Sequence, residues 1–149
     1  MMGSSAEVKA IFLDPLNAAS RDFIVFAVND HSMNSIGGSH WSLCVYSKPD
    51  NSFFNFDSSS NSNNSSCSKL VKILRSCLGC DTAKLENMEC LQQNNCYDCG
   101  IFVLCHADLA CQSAVKEKSL KEVKKLQRKI VQIKRHEVAQ IILNLSLTN

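Results

Sequence analysis

Cys99 is followed by Gly100 and opens an apolar stretch of helical length, Cys99-Gly-Ile-Phe-Val-Leu-Cys-His-Ala-Asp-Leu-Ala-Cys-Gln112. A thiol at the N-terminus of a buried helix sits at the positive end of the macrodipole, which favours the nucleophilic thiolate. Gly100 puts no side chain beside the sulfur, so a substrate carbonyl can come close. A nucleophilic thiol needs a base and a group that orients the base. His40 and Asp57 are candidates: the imidazole to take the thiol proton, the carboxylate to fix the imidazole's tautomer. Each also has a plain structural reading, Cys99 as a packed thiol, His40 as a surface strand end and Asp57 as a turn cap.

The same cysteines allow a different chemistry. Cys77-x-x-Cys80 and Cys96-x-x-Cys99 stand fifteen residues apart, the spacing of a four-cysteine zinc ribbon, with Cys90 and His106 as further potential ligands. Against a metal, Cys77 falls on the apolar face of a predicted helix, and the chain is long enough to bury a core without a staple.

The elements that must position these residues follow from pattern. Phe23 to Val28 is an unbroken β-rich apolar run, which predicts a central strand buried on both faces. Asn29 to Ser39, with Gly37-Gly38, reads as a turn or loop. His40 to Ser47 and Ser52 to Asp57 flank Lys48-Pro-Asp-Asn51, a hairpin whose paired residue numbers should sum to about 99 if the turn centres on Pro49 and Asp50. His40 and Asp57, which sum to 97, then lie nearly opposite each other at its open end. Residues 57–68 are a Ser/Asn-rich loop, and Lys69 to Cys77 is a short amphipathic helix ended near Gly79. Thr82 to Cys90 is a weak strand and Gln92 to Asp98 a polar connection. Leu120, Val123, Leu126, Ile130 and Ile133 recur every three or four residues, so 116–149 reads as one or two basic amphipathic helices.

The chain has 149 residues, 45% hydrophobic and 20% charged, which predicts one globular domain with residues 1–11 as a loose leader and 12–149 as its body. Residues 1–115 carry a net charge of −4 and residues 116–149 one of +6. An acidic body argues against a nucleic-acid-binding protein. The apolar runs are far too short to span a bilayer and no secretory leader is expected, so neither a membrane nor an extracellular setting is implied. Nine cysteines without such a leader point to free thiols in a reducing compartment, the cytoplasm or nucleus. A monomer is expected.

Three segments taken together resemble the Ulp-type, or sentrin-specific, cysteine proteases that process ubiquitin-like modifiers. They are Gly38-Ser-His40-Trp41-Ser-Leu, Phe56-Asp57-Ser58 and Gln92-Gln93-Asn94-Asn95-Cys96-Tyr97-Asp98-Cys99-Gly100. The likeness covers roughly residues 12–112. Through Phe12-Leu-Asp-Pro-Leu16, Phe26-Ala-Val-Asn-Asp30 and Gly37-Gly38-Ser-His-Trp-Ser it is most similar to the deneddylase branch. The resemblance implies an α+β papain-like fold, a small mixed sheet packed on helices. Residue by residue it implies Cys99 as nucleophile, His40 as general base, Asp57 as its orienter and Gln93 as an oxyanion donor. Trp41 would line the tunnel for a Gly-Gly tail. Cys96 falls where the family commonly has serine or glycine, which weakens the zinc reading.

The implied activity is hydrolysis after the C-terminal Gly-Gly of a ubiquitin-like modifier without a cofactor. The implied partners are a neddylation-type modifier, with SUMO as the alternative, and conjugates such as cullins. A catalytically impaired modifier-binding module and a zinc-binding interaction protein are the other readings. The family's N-terminal W-L-x-D-like motif has no counterpart here, so the chain is read as a shortened copy with slowed turnover.

Overall fold

The computed structural model describes residues 5–31 and 37–147. The strands are β1 (Phe23–Asn29), β2 (Trp41–Ser47), β3 (Ser52–Phe56) and β4 (Lys84–Asn87). The helices are α1 (Ser5–Val8), α2 (Asn64–Leu78), α3 (Cys99–Glu117) and α4 (Arg128–Leu147). One mixed sheet runs in the order β1-β2-β3-β4, antiparallel except for the parallel β3–β4 pair.

The β2–β3 hairpin has the register its turn chemistry demands. Val45 faces Phe54 and Leu43 faces Phe56, both summing to 99. Asn51, with φ of 48°, supplies the left-handed residue that closes the turn. Alternation along these two strands then builds two cores. Cys44, Tyr46 and Phe53 point to one face, against Cys67, Val71 and Leu74 of α2. Leu43, Val45, Phe54 and Phe56 point to the other, beneath Ala110 of α3. The sheet is thus sandwiched between α2 and α3, and α4 packs on α3 through Phe102, Cys105 and Val131.

Four expectations are corrected. β1 is an edge strand, paired only with β2; Val28 is buried but Val25 is 44% exposed. An apolar run cannot by itself distinguish an edge strand from a central one, and β2 and β3 take the central places. Residues 5–11 are not a loose leader but helical turns, tied down by the Cys77 thiol donating to the Ser5 carbonyl at 3.2 Å. α2 begins at Asn64, taking in the end of the Ser/Asn-rich segment, because buried Cys67 already belongs to its inner face. Leu120, Val123 and Leu126 do not lie on a helix; residues 118–127 are irregular and use buried Leu120 and Leu126 as pegs, and the helix starts at Arg128. The anticipated loop from Asn29 to Ser39 lies partly outside the described residues, at 32–36.

His106 is a polar residue spent on the core. Its ring stacks on Phe56 with centroids 5.3 Å apart, and its Nε2 has no hydrogen-bond partner. Burial pulls its pKa down from 6.5 to about 4. The folded state therefore holds the imidazole neutral, whereas the unfolded chain takes up a proton below pH 6.5. Stability present above pH 6.5 is expected to be lost as pH falls toward 4, the window set by these two values. A His106→Phe variant should show a flatter thermal midpoint between pH 6.5 and 4. If its slope equals that of the parent chain, His106 does not drive the acid response.

Candidate active site

The site is assembled at the open end of the hairpin. His40 immediately precedes β2 and Asp57 immediately follows β3; the register leaves them two places out of step at the hairpin's end, close enough for their side chains to meet. His40 Nε2 and Asp57 Oδ1 lie 2.7 Å apart, both side chains buried. A carboxylate only accepts, so Nε2 carries the proton and Nδ1 is left with its lone pair. Asp57 is itself held by backbone donors, Ser59 N to Oδ1 at 2.9 Å and Asn63 N to Oδ2 at 2.8 Å. The second of these fastens the carboxylate to the start of α2.

His40 is fixed from behind by β1. The Asn29 amide donates to the His40 carbonyl at 3.0 Å, and Asp30 Oδ1 accepts from His40 N at 3.0 Å. Ser39 donates from N and Oγ to the same Asp30 carboxylate. Hydrogen bonds from Ser39 and His40 hold the Asp30 carboxyl below its ordinary pKa, so it stays a dependable acceptor. Gly38 is required for this arrangement: a Cβ there would collide with the Asn29 side chain.

Gln93 is attached to the same strand end. Its backbone N donates to the Ser58 carbonyl and its Oε1 accepts from Ser58 Oγ, both at 2.8 Å. Its Nε2 donates one hydrogen to the Asn95 carbonyl at 2.7 Å, leaving the second N–H for a ligand. His40, Gln93, Asn95 and Cys96 line an open cleft of about 570 Å³.

Cys99 is the first residue of α3 and is buried on the face that also carries Phe102, His106, Ala110 and Ser113. Two anchors decide where it lies. At the far end of α3, Ser113 Oγ donates to the Ser119 carbonyl, and Ser119 Oγ and Leu120 N donate to Asp50 in the hairpin turn. The other anchor is the stacking of His106 on Phe56, the residue before Asp57. The loop leading into α3 lines the cleft with His40 through Gln93, Asn95 and Cys96, so Cys99 begins its helix three residues beyond that wall. No hydrogen bond joins Cys99 to His40 among the described residues; such contacts commonly tighten only when substrate is bound. Trp41 opens β2 opposite Asn29 and is 45% exposed beside the site.

The zinc-ribbon reading fails on placement. Cys77 and Cys80 are buried in the core between the sheet and α2, whereas Cys99 heads α3 on the opposite face and Cys96 is exposed. Among the described residues no three His, Cys, Asp or Glu side chains converge as metal ligands. Burial also pushes other thiols toward the inert protonated form, Cys90 and Cys105 each up to about 11.

Sequence reasoning gave no role to Asp30, Ser58, Asn95 and Asp98, which hold site residues through hydrogen bonds, Asp30 and Asn95 also lining the cleft. Their signal was their place within the segments that carry the family resemblance.

A model of the Ulp1 protease family, C-terminal catalytic domain, matches residues 18–142. Sentrin-specific protease 8 of Mus musculus is 36% identical over 148 residues, covering 98% of this chain and 66% of the relative. NEDD8-specific protease 1 of Arabidopsis thaliana is 38% identical over 104 residues, covering 68% of this chain and 46% of the relative. The chain thus spans about two thirds or less of these relatives. In the solved structures, the SUMO protease Ulp1 with its catalytic cysteine oxidised to a sulfenic acid matches with a TM-score of 0.65 at 20% identity, over 95% of this chain and 62% of that one. The C-terminal Ulp1 protease domain in complex with Smt3, the yeast ortholog of SUMO, gives 0.59 at 20% identity, over 96% and 62%. The expected α+β fold with a small mixed sheet is the one these structures share, and the chain belongs to the Ulp1 protease family.

Proposed function

We propose that the chain is a cysteine-type isopeptidase that cleaves after the C-terminal glycine of NEDD8, in precursors and in conjugates such as cullins. The observation that carries the chemistry is the buried His40–Asp57 pair at the hairpin's open end, beside a cleft whose wall leads into α3 and Cys99. The name of the Arabidopsis thaliana relative, NEDD8-specific protease 1, supports the choice of modifier. Nine free thiols suit action in a reducing cytoplasm or nucleus.

In this reading His40 Nδ1 takes the Cys99 proton while Nε2–H stays on Asp57, which stabilises the imidazolium. The thiolate attacks the glycine carbonyl. The free N–H of Gln93 and the Cys99 backbone N–H stabilise the oxyanion. His40 then protonates the leaving lysine amine and next activates water to hydrolyse the thioester. Trp41 lines the approach of the glycine tail, where a flat indole admits only residues without side chains.

Electrophile-tipped NEDD8, SUMO and ubiquitin test the reading in one assay. NEDD8 should label the chain fastest, with the adduct at Cys99. Faster labelling by the SUMO probe would reassign the modifier. Stoichiometric binding of all three without any adduct would leave a binding module in place of an enzyme.

A further inference from the structure

We propose that Arg135 of α4 is a positioning residue that holds the Gln93 amide in place through Asp98 and Asn95. This rests on the protease reading above, in which Gln93 is an oxyanion donor. The Arg135 guanidinium pairs with Asp98 Oδ1 and lies over the Tyr97 ring, 5.1 Å from its centroid. Asp98 Oδ2 accepts from Asn95 Nδ2 at 2.7 Å, and Asp98 N donates back to Asn95 Oδ1 at 3.0 Å. The Asn95 carbonyl in turn accepts from Gln93 Nε2 at 2.7 Å. An unbroken relay thus runs from α4 to the side chain that faces the reacting carbonyl.

Three features make the relay more than a surface contact. The Asp98 side chain is only 9% exposed, so removing its cation strands a largely buried charge. Asn95 is bonded to Asp98 at two points, the carboxylate and the backbone N–H, so a shift of that carboxylate carries Asn95 with it. α4 grips the same loop a second time, two turns earlier, where Arg128 Nη2 donates to the Gln92 carbonyl at 3.0 Å. The docking of α4 itself does not depend on Arg135, because Val131 is buried against α3 and Lys134 pairs with Asp108 at 2.9 Å.

The test uses the whole chain and NEDD8 carrying a fluorogenic amide on its terminal glycine. Gln93→Ala should lower kcat by about 10²–10³. Arg135→Gln should lower kcat about tenfold with KM within about twofold, because orientation and not affinity is lost. Arg135→Lys should recover part of that loss. Lys134→Gln, which loosens α4 from α3 but leaves the loop alone, should keep parental kcat. The double variant Gln93→Ala/Arg135→Gln should be no slower than Gln93→Ala, since both act through one group. Losses that multiply, or an unchanged kcat in Arg135→Gln, would overturn the proposal.

A second measurement needs no turnover. The Gln93 side-chain amide resonances should shift and exchange faster with solvent in Arg135→Gln and remain parental in Lys134→Gln. Unchanged Gln93 resonances in Arg135→Gln refute the relay whatever the activity. A parent chain that fails to react with the NEDD8 probe refutes the protease reading instead.

Discussion

Replacing Cys99 with serine is expected to abolish covalent capture by a NEDD8 probe and to remove hydrolysis altogether. Losing the nucleophile of a catalytic triad costs on the order of 10⁶ in kcat. Cys99→Ser exchanges sulfur for oxygen without changing shape, so the variant should unfold at nearly the parental temperature and still bind NEDD8. Cys96→Ser and Cys77→Ser should both label at close to the parental rate. Cys96 lines the cleft but is exposed in the loop before α3, off the helix terminus. Cys77 is buried against α2's own core, and burial raises its pKa. Mass spectrometry of the adduct decides the matter. An adduct on Cys96, or undiminished labelling of Cys99→Ser, would remove Cys99 from the reaction.

The sequence exposed the local half of this site and hid the rest. A Pro-Asp turn between two β-rich runs has few ways to close, so the pairing sum of 99 was readable, and with it the meeting of His40 and Asp57. The start of α3 was equally legible, because Cys99 follows a polar stretch and opens an apolar one. Placement across the sheet was not. The tie between the hairpin turn and the segment after α3 is made by Asp50 accepting from Ser119 and Leu120, about seventy residues later in the chain. No periodicity carries that information.

The spacing of Leu120, Val123 and Leu126 was actively misleading. Pegs dropped from an irregular segment into the crevice beside α3 can recur every three residues without forming a helix. The relay from Arg135 to Gln93 joins a residue of α4 to a motif nearly forty residues earlier, and only their juxtaposition gives Arg135 a role.

Asp57→Asn should be nearly as damaging as loss of the nucleophile, for a reason visible in its partners. Every group facing the Asp57 carboxylate is a donor: His40 Nε2 and Ser59 N at Oδ1, and Asn63 N at Oδ2. An asparagine must turn its NH₂ toward one side or the other. Toward His40 it forces the imidazole into the opposite tautomer, with the proton on Nδ1, where it can no longer accept the Cys99 proton. Toward Asn63 it leaves a buried backbone N–H unpaired at the start of α2, a cost of about 1–3 kcal/mol. In both orientations the negative charge that stabilises imidazolium is gone. A fall in kcat of about 10⁴ is expected, the scale on which a wrong-tautomer histidine disables a triad.

Because Asp57 is buried, loss of activity alone would not separate chemistry from misfolding. Titration of the variant with unreactive NEDD8 supplies the missing arm. A parental Kd together with the collapse in kcat assigns Asp57 to orienting His40. Retention of more than about a tenth of parental kcat by a folded Asp57→Asn would mean that His40 needs no carboxylate to act as base. The 2.7 Å contact would then be a structural bond at the hairpin's end and nothing more.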